Sequence, residues 1–135
     1  MNNRVKMLLI SFSCLLVGSV IYSFSRPNVY ISKFVLQMLN IKENYNFFPL
    51  VISFYVPDFL WSSALCSGLF VIYPLKSNKG WIWGAVTFLY GVVWEILQLF
   101  SIVSGTADVI DVLLYLAAAF AVVMINFNLE KRKNR

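Results

Sequence analysis

Four stretches of this chain stay apolar for long enough to cross a bilayer, and with one exception the segments between them are short and polar. A membrane helix needs about 20 mostly apolar residues, because each adds about 1.5 Å across a hydrocarbon layer about 30 Å thick. The first stretch, Met7 to Phe24, carries no charge. The second runs from Pro57 to about Leu75, with Pro57 suited to a first helical turn. The third, Trp81 to Phe100, is interrupted only by Glu95 and Gln98, and the fourth runs from near Asp108 to about Phe127. Lys76-Ser77-Asn78-Lys79-Gly80 forms one polar turn. Ser101 to Ala107 forms another, in which Gly105 is available for a left-handed position. The pattern predicts an all-α integral membrane four-helix bundle, one domain spanning residues 1–135.

The exception is the connection from Arg26 to Val56. Val29 to Leu39 has the spacing of a short amphipathic helix. Tyr45 to Val56 is aromatic and apolar but too short to span, with Pro49 inside it. An interfacial or re-entrant segment between helices 1 and 2 is the expectation. The first stretch also has an alternative reading as a secretory signal ending at Ser23-Phe24-Ser25. An uncleaved first helix is favoured. A lipoprotein reading of Cys14 is disfavoured by Phe12 and by the lack of Leu three residues before the cysteine.

Composition strengthens the membrane reading. Of 135 residues, 60% are hydrophobic and only 13% charged, against about 25% charged in a water-soluble domain. The net charge of +5 belongs to the flanks of the spans, and no interleaved basic and aromatic surface argues for nucleic acid. Cys14 and Cys66 match no metal spacing and are expected to pack. The sequence has no histidine, which removes the commonest metal ligand and general base.

Basic residues set the orientation, since Lys and Arg concentrate on the cytoplasmic side. Arg4, Lys6, Lys76, Lys79, Lys131, Arg132, Lys133 and Arg135 fall on one side, and Arg26, Lys33 and Lys42 on the other. Both termini are therefore expected in the cytoplasm. That threading brings Asp58, Glu95, Asp108 and Asp111, from three helices, to one depth below the outer surface. Glu95 and Gln98 share a helix face, as do Asp108, Asp111 and Tyr115. An acid at membrane depth costs about 2.5–3.5 kcal/mol on insertion scales and normally faces the bundle interior with a partner. Gly91, one turn before Glu95, would let a neighbouring helix approach. Structural roles compete with functional ones: capping for Asp58 and Asp108, an interhelical bond for Glu95, and interface anchoring for Trp61, Trp81, Trp83 and Trp94.

The order Trp94-Glu95-Ile96-Leu97-Gln98, then Gly105-Thr106-Ala107-Asp108-Val109-Ile110-Asp111, resembles the carboxyl half of the VanZ-like membrane protein family: E-x-x-Q, a short loop, then D-x-x-D opening the last helix. Pro57-Asp58-Phe59-Leu60-Trp61 is similar to an acidic motif at the matching place. The chain departs from the family pattern at Gly105, where an Arg is usual nearby, and at Tyr115 and Ala118, where Asn and Gly are usual. It also has Ser62 near the position of a common His. The resemblance implies a protein of the bacterial plasma membrane and envelope and, as for the family's namesake, a link to teicoplanin-type glycopeptide resistance.

Three functions follow as expectations. The first is a binding protein whose outward acidic cluster (Asp58, Glu95, Gln98, Asp108, Asp111, Tyr115) engages a cation or the head of a lipid-linked envelope molecule. The second is an enzyme on a lipid headgroup, in which Glu95, Asp108 and Asp111 would hold a divalent cation that polarises a phosphate. The third is an oligomeric ion or proton-coupled transporter. No resident cofactor is expected, and the partners are membrane lipids. In a Cys14→Ser, Cys66→Ser background, a cysteine replacing Asp111 should react from outside the cell with an impermeant maleimide. Reaction only from the cytoplasmic side would invert the bundle.

Overall fold

Met7 to Phe24 carries no charge and no helix-weakening residue except Gly18, and it forms the heart of helix α1, Asn3–Ser25. The computed structural model describes residues 2–25, 33–34, 37–38, 50–74 and 79–133. Among the described residues three further long helices follow: α2, Leu50–Ile72; α3, Trp81–Leu99; and α4, Val109–Lys133. All four are long and apolar enough to cross a membrane. Their outward faces carry exposed Leu8, Phe12 and Leu16 on α1, Leu89 and Val93 on α3, and Leu113, Leu116 and Phe120 on α4. Such faces suit lipid rather than water.

The second helix starts at Leu50 rather than at Pro57. Residues 50–56, expected in an interfacial or re-entrant segment, are instead the first two turns of α2. Pro57 lies buried within the helix and supplies no N–H to the carbonyl of Ser53, one turn earlier. Membrane helices tolerate such a proline because neighbouring groups satisfy the freed carbonyl. Asp58 consequently lies about 12 Å along α2 at 1.5 Å per residue and is not a first-turn cap. Of the Val29–Leu39 stretch, Lys33, Phe34, Gln37 and Met38 are described, and they are helical and exposed. The rest of that stretch, and 45–49, lie outside the described residues.

Helix α2 is the hub. It packs against α1 along one side and α4 along another, while α3 rests chiefly on α4. Ser11 on α1 donates to the Ala64 carbonyl of α2 (2.8 Å), and within α2 Ser63 and Ser67 bond back to the carbonyls of Phe59 (2.8 Å) and Ser63 (2.6 Å). These bonds satisfy hydroxyls that would be costly in hydrocarbon. Two glycines of α3 face α4: a Cβ at Gly84 would lie 2.9 Å from Val123 Cγ2, and one at Gly91 would lie 2.5 Å from Tyr115 Cγ.

The two ends of the bundle differ. Near the termini, Met7, Cys66, Phe70 and Val122 form a buried apolar cluster, with Trp83 and Leu129 packed against it. There the Trp83 indole donates to the Tyr73 carbonyl (2.8 Å), joining the end of α2 to the start of α3. Arg4, Lys6, Lys79, Lys131 and Arg132 belong to this end, and Asp58, Glu95, Asp108 and Asp111 to the other. Gly91→Ala should overpack the α3–α4 contact and destabilise the protein by about 1–3 kcal/mol. An unfolding titration in mixed micelles measures this, and a neutral result would mean that Tyr115 does not sit against Gly91.

Candidate functional site

Glu95 sits one turn from the end of α3, where that helix's own dipole disfavours negative charge. Its surroundings reverse the balance. The carboxylate is buried, 6% exposed, and both oxygens are engaged from α4. Oε2 accepts the Asp108 backbone N–H (3.0 Å) at the start of α4, and Oε1 accepts the Tyr115 hydroxyl (2.9 Å) two turns further on. The start of one helix thus supplies the positive end that the finish of the other lacks. Asp108 is the N-cap of α4, its Oδ1 accepting the Ile110 N–H (2.9 Å).

The loop between them is held as firmly. Helix α3 ends in a Schellman turn: Ile102 N–H reaches the Leu97 carbonyl (2.9 Å) and Ser101 N–H the Gln98 carbonyl (2.9 Å). The left-handed residue of that turn is Ser101, φ 56°, rather than a glycine. Gly105 has φ 147°, and a Cβ there would lie 2.5 Å from Gln98 Nε2. With its amide turned to satisfy both ends, Gln98 donates to the Thr106 carbonyl (3.2 Å) and accepts the Trp94 indole N–H (3.0 Å).

All six candidate residues line one cavity of about 670 Å³: Asp58 from α2, Glu95 and Gln98 from α3, and Asp108, Asp111 and Tyr115 from α4. Tyr22, Tyr55 and Trp61 complete its walls on the α1 and α2 side. None of the described lining residues is Lys or Arg. The structure divides the six by role. Glu95, Gln98 and Tyr115 tie α3, its following loop and α4 together, and Asp108 caps α4. Asp58 lines the cavity from α2 and Asp111 from α4.

Among the described residues no group of three or more His, Cys, Asp or Glu side chains could hold a metal ion. Glu95, Asp108 and Asp111 border one cavity without forming such a group. Glu95 in particular has committed both oxygens to donors of α4, so its chemistry here is to position a helix.

The tryptophans divide as well. Trp81 is exposed on the lipid side, as an anchor would be. Trp61 is half-buried, packs over Gly18, and meets the Tyr22 ring at 5.0 Å. Trp94 runs alongside Tyr90, with ring centroids 6.4 Å apart. Both Trp61 and Trp94 line the cavity. With α2 starting at Leu50, Trp61 stands well inside the helix, where a headgroup anchor would not be placed; a start at Pro57 hides this.

Compared with known proteins, the chain matches no protein-family model, no curated protein and no solved structure.

Two substitutions test this geometry. Glu95→Gln puts an amide donor opposite one of two existing donors and should cost about 1–3 kcal/mol. Tyr115→Phe keeps the ring but leaves Glu95 Oε1 without its donor, and should cost a similar amount. A Glu95→Gln variant as stable as wild type in a micelle unfolding titration would mean that the carboxylate does not join α3 to α4.

Proposed function

We propose that the protein is a binding protein of the bacterial plasma membrane, VanZ-like in character, that takes the polar head of a lipid-linked envelope molecule into its acidic cavity. The single observation carrying this reading is that four carboxyl-bearing side chains from three helices line one cavity at one end of an otherwise apolar bundle. Carboxylates in membrane helices are costly unless they serve structure or function. Structural work accounts for Glu95 and for one oxygen of Asp108, through the bonds they make. Asp58 and Asp111 complete the acidic lining from α2 and α4.

The excess of basic residues near the termini supports an outward-facing cavity, with both termini cytoplasmic. An outward cavity in the outer leaflet suits a ligand on the envelope side, and the VanZ-like resemblance adds the implied link to teicoplanin-type glycopeptide resistance. The apolar cluster of Met7, Cys66, Phe70 and Val122 at the opposite end gives no support to a conducting path. The head is bound and released from one side.

The full-length Asp58→Asn, Asp111→Asn double variant, at wild-type abundance in the membrane, should fail to complement a deletion strain challenged with teicoplanin. Glu130→Gln, at the other end of the bundle, should complement fully. Full complementation by the double variant would remove the cavity from the function.

A further inference from the structure

A second space of about 420 Å³ lies between α2 and α3, beside the acidic cavity. That volume falls within the range of about 300–1,000 Å³ usual for small-molecule sites. The space exists because α3 leans on α4 and makes little contact with α2. Trp61, Tyr90, Trp94 and Tyr115 place four aromatic side chains on its walls. Leu65 and Tyr90 on its lining are exposed at the bundle's outer face. The space is therefore a groove that opens sideways into lipid.

Two hydroxyls on the lining set this groove apart. Ser62 on α2 is 8% exposed and Thr87 on α3 is 1% exposed, and neither side-chain oxygen has a hydrogen-bond partner. The hydroxyls of Ser63 and Ser67, in the same helix as Ser62, bond back to their own backbone. The Cys66 thiol stands beside Thr87, and sulfur is a weak partner. A buried hydroxyl in hydrocarbon that forgoes the local bond is costly unless a ligand meets it. Ser62 lies one turn outward of Cys66 along α2. The two hydroxyls thus line the groove from facing helices, about one turn apart along it.

We propose that the groove binds an isoprenoid quinone, its ring carbonyls on Ser62 and Thr87 and its tail running out past Leu65 and Tyr90. This site is distinct in chemistry from the acidic cavity and does not rest on the headgroup reading. Three features select the class. Two orphaned hydroxyl donors call for acceptors, which carbonyl oxygens on two sides of one ring supply. The aromatic walls favour a flat conjugated ring. Depth rules against the commoner carbonyls of a bilayer. Ser62 lies about 18 Å from the start of α2, and Thr87 about 18 Å from the end of α3, at 1.5 Å per residue. Glycerolipid esters sit at the edge of a hydrocarbon layer about 30 Å thick, whereas an uncharged prenylated ring enters its middle.

The test uses the full-length protein in phosphatidylcholine nanodiscs and an azido-benzoquinone with a geranyl tail as photolabel. Labelling at Leu65 and Tyr90 should saturate with probe, while labelling at lipid-facing Leu8 and Phe12 of α1 rises in proportion to it. Decylubiquinone should compete for the groove. Dioleoylglycerol, which offers ester carbonyls, and decylbenzene, which has a ring and chain without carbonyls, should not. The Ser62→Ala, Thr87→Val double variant should need about tenfold more probe for half-saturation. The same variant should be at least as stable as wild type in a micelle unfolding titration, because it removes two unpartnered hydroxyls, so its weaker labelling is not unfolding. Leu65→Trp, which fills the groove from its rim, should abolish the saturable labelling. Competition by dioleoylglycerol or decylbenzene equal to that by decylubiquinone overturns the quinone ring. An unchanged half-saturation in the double variant overturns the role of the hydroxyls. Labelling that never saturates in the wild-type protein means that water or bulk lipid fills the groove, and overturns the site. None of these results bears on the acidic cavity, which complementation by the Asp58→Asn, Asp111→Asn variant judges separately.

Discussion

One buried carboxylate decides how the last two helices meet. Glu95 stands where its own helix repels it and where the next helix begins, and its two oxygens take a backbone donor and a phenol from that helix. The arrangement solves two problems together: a charge at membrane depth needs partners, and the first N–H groups of a helix need acceptors. Gly91 is the condition for it, because only a residue without Cβ lets the Tyr115 ring come close enough for the hydroxyl to reach Glu95. Gln98 and Gly105 then fix the loop over the same spot. Asp58 and Asp111 face a wall of defined shape because this joint holds.

Much of this was legible in the residues before any coordinates. The lengths of the apolar runs give four helices, and counting helix directions brings Asp58, Glu95, Asp108 and Asp111 to one end without knowledge of a single contact. The spacing of Glu95 from Gln98, and of Asp111 from Tyr115, puts each pair on one face. Gly91 reads as a place of close approach.

What escaped the sequence did so for physical reasons. Pro57 looks like a helix start because proline suits a first turn in water, whereas in a bundle the freed carbonyl can find other donors and the helix begins at Leu50. Trp61 looks like an interfacial anchor because aromatic residues gather there, and only the fold shows Gly18 making room beneath its ring. Ser101 carries the left-handed turn for which a glycine is the usual choice. Ser62 and Thr87 look ordinary in sequence, and no sequence records that their buried hydroxyls lack a hydrogen-bond partner. The spacing also gives no warning that α2 and α3 stand apart, since that separation depends on both helices preferring α4.

The apolar cluster at the termini end makes the bundle a cup with a closed base. A cup exchanges its contents with one reservoir only. On the binding role proposed above, a ligand held there would remain in the leaflet from which it came. A device of that kind would act by capacity rather than by turnover. Its effect on a cell would rise in proportion to the number of copies in the membrane and would level off once the ligand outnumbers them.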